Sequence, residues 1–518
     1  MKKSFLPIFL LISNLSVAQN QPPVLSNVQV QLSGNNNFTI SFDLADAESD
    51  PITVSLRAGA YGAAALDYNT SNATGDVGAG ITPGTGKQVT WDFSQYAPVA
   101  TNEFRLMLVA DDLQPVDIQS MVNAVDSSRL ITDLTFIEGV RHRTAGAAHL
   151  QAVKDFIWFQ FLDRELESYQ QQFVFGGYDA QNIIGKHPGT GTSGETYLLG
   201  GHFDTVADAP GADDNGSAVA GMLEAMRILS QYPTKKSIKF IGFDLEEANL
   251  IGSTRYVTNG IQPGETIAGM IDFEMIGYYT EAPNTQTLPA GFNLLFPAAY
   301  NAVASQDFKG NFITNVGKVG NSATLMQQFE SISANYVPAL RTVSVEAPST
   351  WEQLTPDLGR SDHAPFWVAN HPAIMLTDGA NFRNPYYHTP NDKIETLNFT
   401  FMANVVKGAV ATLAQLAEVQ HADAWWVDTD FFSTTKESFD CGVKISPNPA
   451  HDLISIDWNG CKSGIQRLTL LDAIGRTVLT ANPSGSQHVL NVGKLASGIY
   501  FLKMETPAGS RVEKVVVE

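Results

Sequence analysis

The central part of the chain places imidazole and carboxylate side chains directly after short apolar runs. His202 and Asp204 follow one such run, and the adjacent carboxylates Glu246 and Glu247 follow another. Ligands of open α/β sheets bind at the carboxyl ends of the strands, so these side chains stand where a site is expected. A histidine that ligates zinc commonly donates its second ring N–H to a carboxylate, and Asp204 is placed to be that partner. A His-x-Asp pair alone is more often a surface feature than a ligand.

Two pairs of adjacent acidic residues need an explanation. Asp213 and Asp214 precede an amphipathic helix, where one carboxylate would suffice to cap the N-terminus. A carboxylate fixed there between glycines could instead bridge two cations. Glu246 and Glu247 repel each other at a strand end unless one is neutralised or both serve a metal site; a solvated loop is the ordinary alternative. His388, in a loop rich in aromatic residues, supplies the second imidazole that such a site needs.

The segments around these residues are typical of an α/β domain. Residues 197–200, 238–243 and 268–273 are short apolar runs that predict buried strands, and apolar residues recur at helical spacing between 219 and 229. Strands that alternate with helices predict a central mixed, mostly parallel sheet covered by helices on both faces. We assign residues 118–420 to this domain.

Both ends of the α/β domain adjoin segments of a different type. Residues 22–113 and 443–518 alternate apolar and polar side chains between breaks rich in Gly, Asn, Asp and Pro. This pattern predicts two all-β sandwich modules, the first of the immunoglobulin or fibronectin type III kind. Residues 421–442, with aromatic side chains among acidic, Ser and Thr residues, are predicted to be a linker. Residues 1–18 combine two lysines, a short apolar core and small residues, as in a secretory signal peptide.

Composition excludes several classes of protein. The formal net charge of −21 over 518 residues disfavours binding to nucleic acid or to an anionic membrane. No stretch is long and apolar enough to span a bilayer, so we expect an exported protein without a transmembrane segment. The only two cysteines, Cys441 and Cys461, exclude a cysteine-based zinc site by their number; they could form one local disulfide or stay free.

Taken together and in this order, the central motifs resemble the zinc aminopeptidase family that also includes glutamate carboxypeptidase II and the glutaminyl cyclases. The resemblance covers the central domain and extends to residues 252–253 and 361–363. It implies two zinc ions, with Asp214 as the bridging residue and the full ligand set His202, Asp214, Glu247, Glu274 and His388. It further implies that Glu246 is the general base, that Tyr387 is an additional oxyanion donor, and that the Asp214–Asn215 peptide bond is cis.

One ligand position departs from the family pattern. The family has an aspartate before a Met-Ile/Val-Gly segment, and aligning on that segment here selects Glu274. Aligning on residue type selects Asp272 instead. Both side chains would face the same side of a strand, so either could reach the site. We prefer Glu274, because shifting the register would misplace the glycine.

The resemblance implies a secreted zinc-dependent exopeptidase, specifically an aminopeptidase, that acts on peptides through a water activated by two zinc ions. A glutaminyl cyclase is an alternative on the same scaffold. A surface binding or adhesion protein with an inactive peptidase core is a second alternative, and the flanking β modules are its chief support.

The last module resembles the C-terminal sorting domain of cargo for the type IX secretion system. The matching segments are residues 446–450, 471–476 and 495–500. The resemblance implies recognition by the outer-membrane secretion machinery and a final location at the cell surface or in the medium.

Overall fold

The computed structural model describes residues 20–33, 36–60, 62–96, 104–428, 443–458, 464–472, 477–483, 485–495, 498–506 and 509–517. The predicted signal peptide and both cysteines lie outside the described residues, and so does most of the predicted linker.

The N-terminal module is a β sandwich. Its strands before the central domain are β1 (Val24–Ser33), β2 (Asn37–Ala45), β3 (Ile52–Ala60), β4 (Thr74–Gly75), β5 (Gly78–Ile81), β6 (Gly84–Asp92) and β7 (Phe104–Asp111). One sheet has the order β1-β2-β6-β4, and the other places β3 between β5 and β7. In β2, Phe38, Ile40 and Phe42 are fully buried between half-buried polar residues. The predicted alternation is therefore confirmed for this strand.

Eight strands form the central sheet. They are β8 (Glu167–Phe175), β9 (Tyr178–His187), β10 (Glu195–His202), β11 (Ser237–Phe243), β12 (Thr266–Glu274), β13 (Ile313–Lys318), β14 (Thr342–Ala347) and β15 (Ala373–Thr377). Their order is β14-β13-β15-β12-β10-β11-β9-β8. Neighbours from β15 to β11 are all parallel, as are β13 and β14, whereas the other pairs are antiparallel. The predicted mixed, mostly parallel sheet is confirmed.

Helices cover both faces of this sheet. They are α1 (Ile118–Asn123), α2 (Ser127–Ile137), α3 (Ala147–Asp163), α4 (Ala218–Leu229), α5 (Ile251–Asn259), α6 (Phe292–Leu295), α7 (Pro297–Ala304), α8 (Ala323–Tyr336), α9 (Trp351–Leu354), α10 (His363–Val368) and α11 (Phe399–Leu416). Along β12, Ile271 packs against the face that carries α4, α8 and α11, whereas Met270 packs against the face that carries α5, α7 and α10. Successive strand residues point to opposite faces, so both faces have a core.

Within the described part of the chain, one helix, α11, is long and apolar enough to cross a membrane, with 18 residues and a mean hydropathy of 1.2. However, 67% of these residues are buried inside the protein, where they pack against α4 and α8. Burial of this kind accounts for its apolar composition as a core helix of the central domain.

The segment after the central domain returns to the N-terminal sandwich. Residues Ala422–Asp428 form β16, which pairs antiparallel with β7. The prediction of a linker over 421–442 is therefore wrong for these seven residues. Ala422, with Ala424 and Trp426 beside it, packs against the buried side chain of Met107 and so completes a sheet that would otherwise end at β7.

The C-terminal module is a second all-β sandwich. Its strands are β17 (Lys444–Ser446), β18 (Leu453–Asp457), β19 (Arg467–Asp472), β20 (Thr477–Ala481), β21 (Gln487–Asn491), β22 (Gly498–Thr506) and β23 (Gly509–Val517). They form sheets of order β17-β18-β21 and β20-β19-β22-β23. Ile454, Ile456, Leu470 and Leu502 are buried in the core between them.

Candidate active site

The predicted site residues meet at one edge of the central sheet. His202 ends β10, Glu274 ends β12, and Glu246 and Glu247 follow β11 after a two-residue gap. These strands are parallel neighbours, so their carboxyl ends lie side by side. Six side chains converge there in two groups, each with its ligand atoms within 4.8 Å of one another: His202, Glu246 and Glu274, and Asp214, Glu247 and His388.

Asp214 joins the two groups. Its Oδ1 lies 3.5 Å from Nε2 of His202, and its Oδ2 lies 3.0 Å from Nε2 of His388. Nε2 of His202 is also 3.4 Å from Oε2 of Glu274, and Nε2 of His388 is 3.3 Å from Oε1 of Glu247. The two imidazoles therefore flank one carboxylate, which offers one oxygen to each.

A turn between β10 and α4, Ala212–Ser217, carries Asp214. The Asp214–Asn215 peptide bond in this turn is cis, as the resemblance implies. The carboxylate of Asp392 accepts the backbone N–H groups of Asp213 at 2.9 Å and Asp214 at 3.0 Å. The side-chain amide of Asn215 donates to and accepts from the backbone at the end of β12, at 2.9 Å each. These bonds fix Asp214 relative to the strand that carries Glu274.

Asp204 links the ends of β10 and β11. Nδ1 of His202 lies 3.2 Å from the carbonyl oxygen of Asp204 and 3.5 Å from its carboxylate. The same carboxylate accepts the backbone N–H groups of Glu246 at 3.0 Å and Glu247 at 3.3 Å. Asp204 thus holds the glutamate loop as well as facing the ring of His202. The sequence pattern indicated only the second contact.

The two candidates on β12 have different partners. Oε2 of Glu274, which lies in the cluster, accepts a hydrogen bond from Oγ of Ser361 at 2.7 Å. Oδ2 of Asp272 accepts the backbone N–H of His363 at 3.0 Å and lies 3.1 Å from its Nδ1. Asp272 is therefore engaged with a buried histidine beside the cluster, and this arrangement favours Glu274 as the metal ligand.

Negative charge dominates the cluster. Among the described residues, no lysine or arginine forms an ion pair with its four carboxylates. Burial raises the pKa of Glu246 well above its ordinary value, and it also raises the pKa of Glu247 and of Glu274. Burial alone would lower the pKa of His388, but the carboxylates of Asp214 and Glu247 raise it to about 10. The cluster therefore favours positive charge, as a site for divalent cations does.

One carboxylate oxygen in the cluster lacks a donor. Oε1 of Glu247 is buried and receives no hydrogen bond from any described residue, although Nε2 of His388 lies 3.3 Å away. Buried carboxylate oxygens are normally satisfied by a donor or by a metal ion. This oxygen points to the same conclusion as the charge of the cluster.

Tyr387 stands beside the second imidazole. Its ring stacks on that of His388 with centroids 3.8 Å apart, and its Oη lies 3.1 Å from Nη2 of Arg360. Burial raises the pKa of Tyr387 above its ordinary value, so the hydroxyl keeps its proton at neutral pH. It can therefore act as a hydrogen-bond donor.

An apolar cavity of about 260 Å³ adjoins the cluster. Glu274 and Tyr387 contribute to its wall. The rest of the wall is mainly apolar and includes Leu288, Phe296, Val316, Val345 and Met375. Such a cavity can hold an apolar side chain next to the cluster.

Two residues that support the site were missed in the sequence. Asp392 holds the backbone at Asp214, and its only signal was its position four residues after His388. Arg141 is fully buried and donates to several backbone carbonyl groups, among them those of Phe203 and Gly211. Since these partners lie more than 60 residues away along the chain, no local pattern marks Arg141.

Carboxylates and imidazoles at the carboxyl ends of parallel strands, in a mixed sheet covered by helices, define a fold of the zinc-exopeptidase type. The chain belongs to peptidase family M28, whose model matches residues 182–322 and 318–413. Residues 444–518 match a secretion system C-terminal sorting domain, which indicates export to the cell surface or the medium.

The chain is similar to several known proteins over part of its length. An uncharacterized protein of Escherichia coli, YfbL, is 32% identical over 42% of this chain and 67% of its own length. The aminopeptidase YwaD of Bacillus subtilis is 29% identical over 46% of this chain and 45% of its own length. The chain thus spans between about half and two thirds of these relatives. The crystal structure of the LapA aminopeptidase of Legionella pneumophila is 21% identical, with a TM-score of 0.45 over 59% of this chain and 78% of that one.

Proposed function

We propose that the protein is an exported aminopeptidase that uses two zinc ions to remove the N-terminal residue of peptides. The observation that carries this proposal is the position of Asp214, whose two oxygens each face one imidazole. Membership of a peptidase family supports hydrolysis of a peptide bond. The name of the Bacillus subtilis relative supports attack at the N-terminus.

The residues present fit a pair of zinc ions. We assign His202 and Glu274 to one ion, Glu247 and His388 to the other, and Asp214 to both. Imidazole nitrogen and carboxylate oxygen are ordinary zinc ligands, and three protein ligands for each ion is the number typical of catalytic zinc sites. The donor-free oxygen of Glu247 supports this assignment.

The proposed chemistry divides between the metal and the side chains of the chain. Bound zinc supplies a water of lowered pKa and polarises the carbonyl group of the substrate. Glu246, whose Oε2 lies 3.8 Å from Nε2 of His202, accepts a proton from the attacking water and transfers it to the leaving amine. Burial raises the pKa of Glu246 well above that of a solvated glutamate, and a carboxylate of raised pKa is a stronger base toward the attacking water. Tyr387 donates a hydrogen bond from its hydroxyl group to the developing oxyanion.

The apolar cavity is our candidate subsite for the side chain of the residue removed. It adjoins Glu274 and Tyr387, so a side chain placed in it brings its own carbonyl group close to the cluster. Most of its wall is apolar, and Arg360 and Asp357 on the wall pair with each other, so a charged substrate side chain would find few partners there. We therefore expect a preference for large apolar N-terminal residues.

A panel of amino-acid anilides tests the proposed function. The zinc-loaded protein should hydrolyse leucine and phenylalanine anilides faster than lysine or glutamate anilides, and a chelator should abolish turnover. Cyclisation of N-terminal glutamine without anilide hydrolysis would identify a glutaminyl cyclase instead. Absence of turnover on any substrate by protein with full zinc content would identify a binding protein.

A further inference from the structure

We infer that Arg360 is a positioning residue that acts through Tyr387 in the proposed peptide hydrolysis. The inference rests on the proposed function, because it concerns the hydrogen bond that Tyr387 donates to the carbonyl oxygen of the substrate. Arg360 lies on the wall of the apolar cavity, one residue before the segment that binds Glu274.

The direction of one hydrogen bond carries the inference. Nη2 of Arg360 lies 3.1 Å from Oη of Tyr387. A guanidinium group has donors only, so the tyrosine oxygen must be the acceptor in this contact. The hydroxyl proton of Tyr387 is therefore left for another acceptor, and among the described residues no side chain or carbonyl group accepts it.

The hydroxyl hydrogen of Tyr387 is available as a donor on the side where the substrate is expected to bind. Tyr387 lines the apolar cavity together with Glu274 and stacks on His388, so this residue adjoins both the cavity and the cluster. The hydrogen bond that the cationic guanidinium group donates to Oη polarises the O–H bond of Tyr387, because hydrogen bonds in a chain strengthen one another. Arg360 thus makes the hydroxyl of Tyr387 a stronger donor to an oxyanion.

Further contacts fix both members of the pair. Nη1 of Arg360 lies 3.1 Å from Oδ1 of Asn381 and 3.4 Å from Oδ1 of Asp357, which orients the guanidinium plane. The ring of Tyr387 is held on its face by His388. A lysine could supply charge but not the fork that reaches Asn381 and Tyr387 together.

The variants Arg360→Met, Arg360→Lys, Tyr387→Phe and the double variant Arg360→Met/Tyr387→Phe test the inference on leucine p-nitroanilide. Loss of one oxyanion donor lowers kcat by a factor of about 10²–10³. We expect Tyr387→Phe to lower kcat by a factor within this range or smaller. Arg360→Met should lower kcat by about 10-fold with KM nearly unchanged, as expected for a contact that matters mainly in the transition state. Arg360→Lys should recover part of the loss. The double variant should be no slower than Tyr387→Phe, since the arginine acts through the tyrosine.

Binding of a leucine phosphonate, a tetrahedral analogue of the transition state, gives a readout independent of turnover. Its affinity should fall in both single variants and no further in the double variant. Arg255→Met, which removes an exposed arginine from α5, is the matched control and should change neither quantity. Zinc content measured on each variant should equal that of the wild type.

Two results would overturn the inference. Additive losses in the double variant would show that Arg360 acts independently of Tyr387. A larger loss on the dipeptide Leu-Gly than on the anilide, confined to KM, would show that Arg360 binds the substrate carboxylate directly. A zinc-loaded wild type that hydrolyses neither substrate would contradict the proposed function itself.

Discussion

Adjacent glutamates occupy different places in the cluster. Glu246 lies with His202 and Glu274, whereas Glu247 lies with Asp214 and His388. Both backbone N–H groups bind Asp204, so the loop is anchored at one point while its two side chains diverge. This divergence allows one carboxylate to hold metal while its neighbour moves protons.

We expect Glu246→Gln to retain both zinc ions and to lose about 10²–10⁴ in kcat, because the amide cannot accept the proton. Its matched control is Glu247→Gln, which should lower zinc content as well as activity. Metal analysis and steady-state kinetics on the same preparations check both expectations. A kcat close to that of the wild type in Glu246→Gln would remove the assignment of the general base.

We expect Glu274→Ala to lose zinc and Asp272→Ala to keep it. Glu274 lies 3.4 Å from Nε2 of His202, whereas Asp272 is engaged with His363. Zinc per chain, measured after dialysis at equal protein concentration, separates the two positions. Full zinc content in Glu274→Ala would reject Glu274 as a ligand.

Packing between α2 and α4 brings like charges together. Asp133 on α2 lies near Glu224 on α4, and burial together with this neighbour raises the pKa of Asp133 to about 7. The folded protein therefore binds a proton at pH 5 to 6 that the unfolded chain has already released. The stabilisation from this proton is complete below about pH 4 and is lost as the pH rises through 7.

Asp133→Asn removes this titration, so the stability of the variant relative to the wild type should increase with pH between 5 and 8. The increase is at most about 1.4 kcal/mol per pH unit. The difference in Tm between variant and wild type, measured at both pH values, checks the sign. Asp208→Asn, at an exposed position, is the control and should show no such trend. A difference that falls as the pH rises would contradict the expectation.

The elements of the central domain could be predicted because each leaves a local signal. Short apolar runs marked β10, β11 and β12, and their ends located His202, Glu246 and Glu274. Partners such as Arg141 could not be predicted, since its contacts join segments that are distant in sequence. Residues 422–428 have the alternation of a strand, because alternate residues face one side. The pairing could not be predicted, since the partner strand β7 lies some 300 positions earlier in the chain.

One buried arginine joins three parts of the chain. Arg105 of β7 makes two hydrogen bonds of 2.9 Å to the carboxylate of Glu167 on β8. It makes two more, at 2.8 and 2.9 Å, to Asp428 on β16. The sandwich, the edge of the central sheet and the returning strand therefore meet at the guanidinium group of Arg105, a residue that is 3% exposed.

Arg105→Met should destabilise the protein by on the order of 3 kcal/mol, because it removes the partner of Asp428 and leaves Glu167 with only Lys186, at 3.6 Å. Arg105→Lys should recover a small part, since lysine lacks the bidentate geometry. Thermal unfolding of the zinc-loaded protein measures both effects. An unchanged Tm in Arg105→Met would show that the modules are held by other contacts.

The register of β7 with β16, in which Asp111 faces Ala422, has a consequence for biogenesis. As the polypeptide emerges from its N-terminus, β7 keeps an unsatisfied edge until the whole of residues 112–421 has followed. An unpaired strand edge can pair with strands of other chains, so the edge of β7 needs protection in the cell until β16 has been synthesised. Once β16 has docked, a cut between residues 429 and 442 would leave every strand of the sandwich and of the peptidase in place, and contacts with α3, such as that of Phe159 with Phe501, would still hold the sorting module.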